Sequence, residues 1–91
     1  MIRDDEAIWL LGMLEALLEK LKVEVRYEQL ADRDDIGLRG GLCRLRGGWV
    51  VILDKRLSPR KKFEVLLDAL KQLDTSNVFV PPYLRQLIDR S

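Results

Sequence analysis

The sequence contains no histidine, and this absence excludes more functions than any other feature of its composition. Without imidazole, the chain lacks the Ser-His-Asp and Cys-His catalytic arrangements and the histidine ligands of zinc enzymes. Cys43 is the one cysteine, so the chain can form neither an internal disulfide nor a thiolate metal site. We therefore predict no catalytic residue, no bound metal and no cofactor, and a reducing compartment.

Long hydrophobic runs are missing as well. The most apolar stretch, residues 7–18, is shorter than the roughly 20 residues that span a bilayer, and Gly12 and Glu15 interrupt it. The chain begins with acidic residues where a secretory signal would be basic. With 91 residues, the sequence predicts one small domain over residues 1–91, located in the cytoplasm and without membrane contact.

A helix is predicted over residues 4–22, because acidic residues open it and apolar residues recur at helical spacing. The predicted core stripe of this helix consists of Ala7, Leu10, Leu14, Leu17, Leu18 and Leu21. Trp9, Met13 and Ala16 form a second stripe beside it, so the apolar arc is wider than one small sheet needs. Two explanations are open: the C-terminal segment covers the second stripe, or the stripe faces another subunit.

Three strands are predicted from alternation and from turn residues. Residues 23–28 alternate between apolar and polar or charged positions, which is typical of a half-buried strand. Gly47 and Gly48 separate two apolar runs, residues 42–46 and 49–54. Because glycine supplies the positive φ angles of tight hairpin turns, this pattern predicts a hairpin with a Gly-Gly loop.

The Gly-Gly loop sets the register of the predicted hairpin. It pairs Leu45 with Val50 and Cys43 with Ile52 on one face, and we expect this face to be core. The other face carries Leu42, Arg44, Arg46, Trp49, Val51 and Leu53. On this interpretation Cys43 is an inert, buried thiol.

Two further helices complete the predicted fold. Ser58 and Pro59 start the second helix as its cap and first-turn residue, and Pro82 opens the third. The predicted buried stripes are Phe63, Leu66, Leu67, Leu70 and Leu73 in the second helix, and Leu84, Leu87 and Ile88 in the third. The predicted fold class is α+β: a helix, a three-stranded antiparallel sheet with a Gly-Gly hairpin, and two helices packed on one face.

The net charge of +1 conceals an uneven distribution. Residues 1–38 carry ten acidic and five basic side chains, whereas residues 39–62 carry eight basic side chains and one acidic one. This basic segment could bind a nucleic acid, an acidic partner or the chain's own acidic part, or it could simply be solvated. The candidate anion- or nucleic-acid-binding residues are Arg44, Arg46, Trp49, Lys55, Arg56, Arg60, Lys61 and Lys62.

Carboxylates remain as candidates for acid–base or metal chemistry. Asp32, Asp34 and Asp35 cluster in a polar connection, and their oxygen atoms are ligands that magnesium and calcium prefer. Their spacing matches no calcium-binding loop, so we interpret them as solvated. A carboxylate-based hydrolase would need these residues and Asp68 to converge in one pocket, and we rank that function last.

Residues 58–71 read Ser-Pro-Arg-Lys-Lys-Phe-Glu-Val-Leu-Leu-Asp-Ala-Leu-Lys, and Gly41, Leu42 and Cys43 lie upstream. From about residue 17 to residue 74, this pattern resembles the minimal zincin peptidases of the ImmA/IrrE type. In that family a hairpin precedes a capped helix that carries a basic run, a phenylalanine and then His-Glu-Leu-Gly-His. The resemblance implies an α+β architecture.

The catalytic residues of that family are replaced in this chain. The resemblance places Leu67 and Lys71 at the two histidine positions and Asp68 at the position of the general-base glutamate. Leucine cannot ligate zinc, and a lysine ammonium repels it. The resemblance therefore implies a relative that kept the scaffold without the peptidase activity.

Two functions thus rank ahead of catalysis. We predict first a non-catalytic protein-interaction or scaffold domain that self-associates or docks on a protein partner, with Trp9, Met13 and Ala16 as the interface. The alternative is a nucleic-acid-binding or regulatory module that uses the basic segment 39–62, whose binding would weaken steeply with salt.

Overall fold

Six elements follow the order predicted from the sequence, a helix, three strands and two helices. The helices are α1 (Asp4–Lys20), α2 (Pro59–Lys71) and α3 (Pro82–Asp89), and the strands are β1 (Glu24–Glu28), β2 (Gly40–Leu45) and β3 (Gly48–Asp54). The computed structural model describes residues 2–30 and 40–90. The predicted α+β class is confirmed.

The C-terminal turn of α1 leads the chain directly into β1. The amide of Val23 donates to the carbonyl oxygen of Leu18 at 2.9 Å, and the amide of Lys22 donates to that of Glu19 at 2.9 Å. Lys22 has a positive φ of 64°, which is the usual conformation of the residue that closes this type of helix end. Because Val23 and Leu18 are both buried, the turn also anchors the start of β1 in the core.

The sheet is mixed, so the predicted all-antiparallel arrangement was wrong in this detail. The strand order is β1-β3-β2, in which β2 runs antiparallel and β1 runs parallel to β3. Residues 50–53 form a continuous apolar run, which is typical of a strand with apolar contacts on both of its faces. A tight hairpin fixes β2 on one side of β3, and β1 occupies the other side.

The hairpin turn begins one residue earlier than predicted. Its two loop residues are Arg46 and Gly47, with φ angles of 51° and 82°, and Gly48 already pairs with Leu45. Positive φ at both loop residues is the requirement of a type I′ turn, which is a favoured connection in two-residue hairpins. The predicted pairing of Leu45 with Val50 was therefore wrong by two residues, since Leu45 pairs with Gly48.

The face of the hairpin that we assigned to the core was also wrong. Val51 and Leu53 lie on the helix side of the sheet and are fully buried in the main hydrophobic cluster. Cys43 pairs with Val50 rather than with Ile52, and it lies on the opposite face, where it is only half-buried. Alternation could not select the core face, since β3 carries large apolar side chains on both faces.

The start of α2 agrees with the prediction. The Ser58 hydroxyl accepts a hydrogen bond from the Lys61 amide at 3.3 Å, and Pro59 is the first helical residue. The buried side chains of α2 are Phe63, Val65, Leu66, Ala69 and Leu70. Leu67 and Leu73, which we predicted in the same buried stripe, are only half-buried.

The short helix α3 is held by both core packing and a polar contact. Leu84 and Ile88 are buried, as predicted, in the cluster shared by the helices and the sheet, whereas Leu87, predicted in the same stripe, is only half-buried. Arg85 donates to the hydroxyl of the buried Thr75 at 2.7 Å and to its carbonyl oxygen at 3.1 Å. This pair of hydrogen bonds fixes α3 to the segment that follows α2.

Candidate functional site

The second apolar stripe of α1 lies on the surface of the domain. The Trp9 side chain is 69% exposed, Ala16 is exposed and Met13 is half-buried. By contrast, Leu14 and Leu18 on the core stripe of the same helix are fully buried. Trp9 and Ala16 therefore lie outside the core, whereas Met13 packs partly against it.

The C-terminal segment lies beside this stripe without covering it. A shallow groove of about 180 Å³ is lined on one side by Met13 and Ala16 and on the other by Phe79, Pro81 and Leu84. The Phe79 side chain projects outward and is 75% exposed. The segment thus adds apolar area to the stripe, and the first explanation given above, coverage by the C-terminal segment, does not describe this surface.

We call the set Trp9, Met13, Ala16, Phe79 and Pro81 the apolar surface. The sequence reasoning named the first three residues and missed the last two. Phe79 precedes the buried Val80, and successive side chains of an extended segment point to opposite sides. That alternation was the available signal for the exposure of Phe79.

The eight candidate anion-binding residues fall into groups at opposite ends of β3. Arg44, Arg46 and Trp49 lie at the hairpin turn, whereas Lys55 and Arg56 follow the last residue of the strand. Five steps of extended chain separate Trp49 from Asp54, which is about 16 Å at the usual rise of a strand. The structure does not bring the eight side chains together as one patch.

At the hairpin end, the aromatic ring and one cation of the candidate set contact each other. The Arg44 guanidinium lies over the Trp49 ring, 4.9 Å from its centroid. Both residues are exposed and lie on the same face of the hairpin. The ring therefore already stacks on a cation of its own chain, as cation–π pairs at protein surfaces do.

At the other end of β3, Arg56 forms an ion pair within the domain. Its guanidinium donates to the Asp54 carboxylate at 2.7 Å and to the Leu30 carbonyl oxygen at 3.0 Å, and its amide also binds Asp54, at 2.8 Å. These hydrogen bonds from Arg56 lower the pKa of Asp54 to about 2. Arg56 therefore fixes the chain after β3 to the chain after β1.

The basic residues of the first turns of α2 also have contacts within the domain. The Lys61 ammonium lies 3.8 Å from a carboxylate oxygen of Glu64. The Lys62 ammonium lies 5.5 Å from the centroid of the Tyr27 ring. Arg60, like Lys61, is exposed.

Tyr27 links β1 to both long helices. Its hydroxyl donates a hydrogen bond to the Glu15 carboxylate of α1, while Lys62 of α2 lies over its ring. Partial burial of the phenol, and then the hydrogen bond to Glu15, raise the pKa of Tyr27 well above its ordinary value. The contact holds Tyr27 in its neutral form and orients α1 against the sheet.

Larger hollows lie elsewhere on the domain, and one of about 370 Å³ is lined by Glu15, Glu19 and Tyr27. One of about 590 Å³ at the hairpin end is lined by Glu24 and Arg26, whose charges pair with each other at 2.8 Å. Another of about 360 Å³ lies on the outer sheet face against Leu30, Cys43 and Ile52. The hollow at the hairpin end is also lined by Lys22, Arg46 and Trp49, all of which are exposed, so its charged groups are solvated rather than held in an enclosed pocket.

The candidate acidic and zincin-like positions form no metal centre in the part of the chain that is described. Asp32, Asp34 and Asp35 lie outside the described residues. Asp68 is exposed on α2, and no cluster of metal-ligating side chains occurs within residues 2–30 and 40–90. Leu67 is half-buried and Lys71 is exposed, so the two positions at which the resemblance would place histidine ligands carry an apolar side chain and a solvated cation.

Among the described residues, none of the helices has the length and apolar character required to cross a membrane. No known protein family, curated protein or solved structure matches this chain. The apolar surface on α1 and residues 79–81 is therefore the feature from which a function can be argued.

Proposed function

We propose that this chain is a non-catalytic protein-interaction domain that docks through the apolar surface. The observation that carries the proposal is the exposure of two large aromatic side chains, Trp9 at 69% and Phe79 at 75%. Aromatic side chains are enriched at protein interfaces, and each can bury roughly 150–250 Å². Contact with a protein would remove this apolar area from water.

Trp9 and Phe79 have no role in the core that would explain their large apolar side chains. Ala7, Leu14 and Leu18 fill the core side of α1, and their side chains have no residual exposure. A polar residue at position 9 would leave those core contacts unchanged. Since a solvated position does not require tryptophan for stability, contact with another molecule would account for the side chain at this position.

The support beneath the apolar surface favours binding with little rearrangement. Met13 and Ala16 are carried by a regular helix, and the Phe79 segment is held by the buried Val80 and by the hydrogen bonds between Arg85 and Thr75. A surface that is already ordered loses less conformational entropy on association. This arrangement suits a docking surface better than a catalytic cleft.

The nucleic-acid-binding alternative has less support. The basic candidates lie at two ends of β3, and several of them contact acidic or aromatic groups of the same domain, as Arg56 and Arg44 do. A protein that tracks a nucleic-acid backbone needs its cations aligned along one groove. The resemblance to zincin peptidases is compatible with the proposal, because it implies a relative that kept the scaffold without the peptidase activity.

Site-specific photo-crosslinking in cells tests the proposal directly. A photoreactive benzoylphenylalanine replaces either Trp9 or Ile8, two neighbours on α1 with similar exposure of 69% and 61% but different directions around the helix. We expect covalent protein adducts of defined mass from position 9 and none from position 8. Equal crosslinking from both positions, or none from position 9, would contradict a docking role for the apolar surface.

A further inference from the structure

The exposed stripe of α1 is complementary in charge and side-chain size to the same stripe read in the opposite direction. At about 100° per residue, one side of the helix carries the following residues in order: Asp5, Trp9, Gly12, Met13, Ala16 and Lys20. All are exposed except Met13, which is half-buried. The stripe begins with an acidic residue, ends with a basic residue and has its midpoint between Gly12 and Met13.

A two-fold axis through that midpoint would place each residue against a complementary one on a second α1. Position 5 then faces position 20, so Asp5 meets a lysine of opposite charge. Position 9 faces position 16, so the indole of Trp9 meets the small side chain of Ala16. Position 12 faces position 13, so Gly12 leaves room for Met13. In a two-fold dimer each pair occurs twice.

The groove beside the stripe completes the fit. It lies between Ala16 and Phe79 and has a volume of about 180 Å³, which is below the roughly 300–1,000 Å³ of small-molecule pockets. In the antiparallel arrangement, the indole of Trp9 from a second chain would reach Ala16 and lie beside the Phe79 ring. Such aromatic pairs stabilise interfaces beyond the area they bury.

We infer that the occupant of the apolar surface is a second copy of this chain, packed through α1 in an antiparallel two-fold arrangement centred between Gly12 and Met13. The inference rests on the proposed docking function and names its partner. Both the charges and the side-chain sizes of one stripe match those of the same stripe reversed. A partner of unrelated sequence would impose no such match within α1 itself.

The terminal charges of the stripe are accessible for pairing. The Asp5 side chain is 74% exposed, and its contact with the exposed Arg3, at 3.6 Å, leaves it open to solvent. Lys20 is exposed and lines the end of the groove. Charge pairs at an interface rim set the orientation of the partners more than the affinity, so they report on the arrangement.

Charge reversal of the full-length chain, followed by sedimentation velocity over a concentration series, tests the arrangement. Asp5→Lys and Lys20→Asp each place two like-charged pairs in the dimer, and each should raise the dissociation constant about tenfold or more. The double variant, Asp5→Lys with Lys20→Asp, restores opposite charges and should bring the constant back close to that of the unmodified chain. An equimolar mixture of the two single variants should form mixed dimers.

Two matched controls separate pairing from effects on helix stability. Asp4→Lys makes the same change one residue away, in the same first turn of α1 but on another side of the helix. Lys71→Asp changes the basic residue in the last turn of α2, as Lys20→Asp does in α1. Both controls should associate as the unmodified chain does, and circular dichroism should show all variants folded.

An unchanged dissociation constant in Asp5→Lys and Lys20→Asp would overturn the antiparallel arrangement. A double variant whose dissociation constant stays raised would overturn it as well. An unmodified chain that stays monomeric at every accessible concentration would overturn self-pairing altogether. The latter outcome is distinguishable from failure of the proposed function, because position-9 crosslinks to a different protein would still support a docking surface.

Discussion

The hydroxyl of Tyr27 donates a hydrogen bond to the Glu15 carboxylate, and this contact joins β1 to α1. The folded protein holds the proton of Tyr27 more tightly than the unfolded chain does, because burial and Glu15 raise its pKa. An unfolded tyrosine loses its proton near pH 10. Above that pH, unfolding releases a proton from Tyr27, and the free energy of unfolding falls as the pH rises.

We therefore expect Tyr27→Phe to remove part of this alkaline dependence. At neutral pH the variant should lose about 1 kcal/mol of stability with its hydrogen bond. Urea denaturation from about pH 8 to about pH 11, a range that includes the ordinary tyrosine pKa, would measure both effects. An identical slope above pH 10 in the two proteins would contradict the role of this hydrogen bond.

Asp54 stabilises the folded state at neutral pH and loses this contribution as the pH falls. Its pKa is lowered to about 2 by the hydrogen bonds of Arg56, whereas an unfolded aspartate titrates near 3.9. The stabilisation is therefore complete above pH of about 4 and is lost as the pH falls toward about 2. Asp54→Asn should lower stability at neutral pH, and its difference from the unmodified chain should vanish in acid. A difference that is independent of pH would contradict this account.

Gly40 should be intolerant of a side chain. A Cβ atom at this position would lie 2.1 Å from the carbonyl oxygen of Ile52, and its φ is 116°. Gly40→Ala should therefore cost about 1–3 kcal/mol of stability. The neighbouring Gly41 has open space at its Cβ position, so Gly41→Ala is the matched control and should be close to neutral. Equal thermal stability of the two variants would show that the β2–β3 register differs from the one described.

Arg46 occupies a left-handed conformation in the hairpin turn, with a φ of 51°. Asparagine followed by glycine is the preferred pair for such a turn, and Gly47 is already in place. Arg46→Asn should raise the free energy of unfolding by about 0.5–1 kcal/mol, since less strain remains at this residue. Lys55→Asn, at an exposed turn position without positive φ, should give no gain. A gain at both positions would indicate a general charge effect.

Local patterns predicted the elements well because their causes are local. The Ser58 cap, Pro59 and the core stripe of α1 depend on neighbouring residues within one helix, and they were found as expected except that Leu21, at the end of the stripe, is only half-buried. The parallel pairing of β1 with β3 depends on contacts distant in sequence. No local pattern encodes that choice, so the sequence could not give it.

Which face of β3 is buried could not be predicted from local sequence either. Val51 and Ile52 are both large and apolar, so the choice of the buried face depends on where the helices lie. For the candidate site, helical periodicity identified Trp9, Met13 and Ala16. Phe79 joins them only through the folding of a segment distant in sequence, which periodicity within α1 cannot reveal.

Sedimentation velocity of three full-length proteins tests the central claim most directly: the unmodified chain, Trp9→Glu and Ile8→Glu. Both substitutions introduce one carboxylate at an exposed position of α1, so all three proteins should be folded and similarly stable. We expect the unmodified chain and Ile8→Glu to associate alike with rising concentration, while Trp9→Glu stays monomeric. If all three proteins sediment alike, the claim that this chain associates through the apolar surface is wrong.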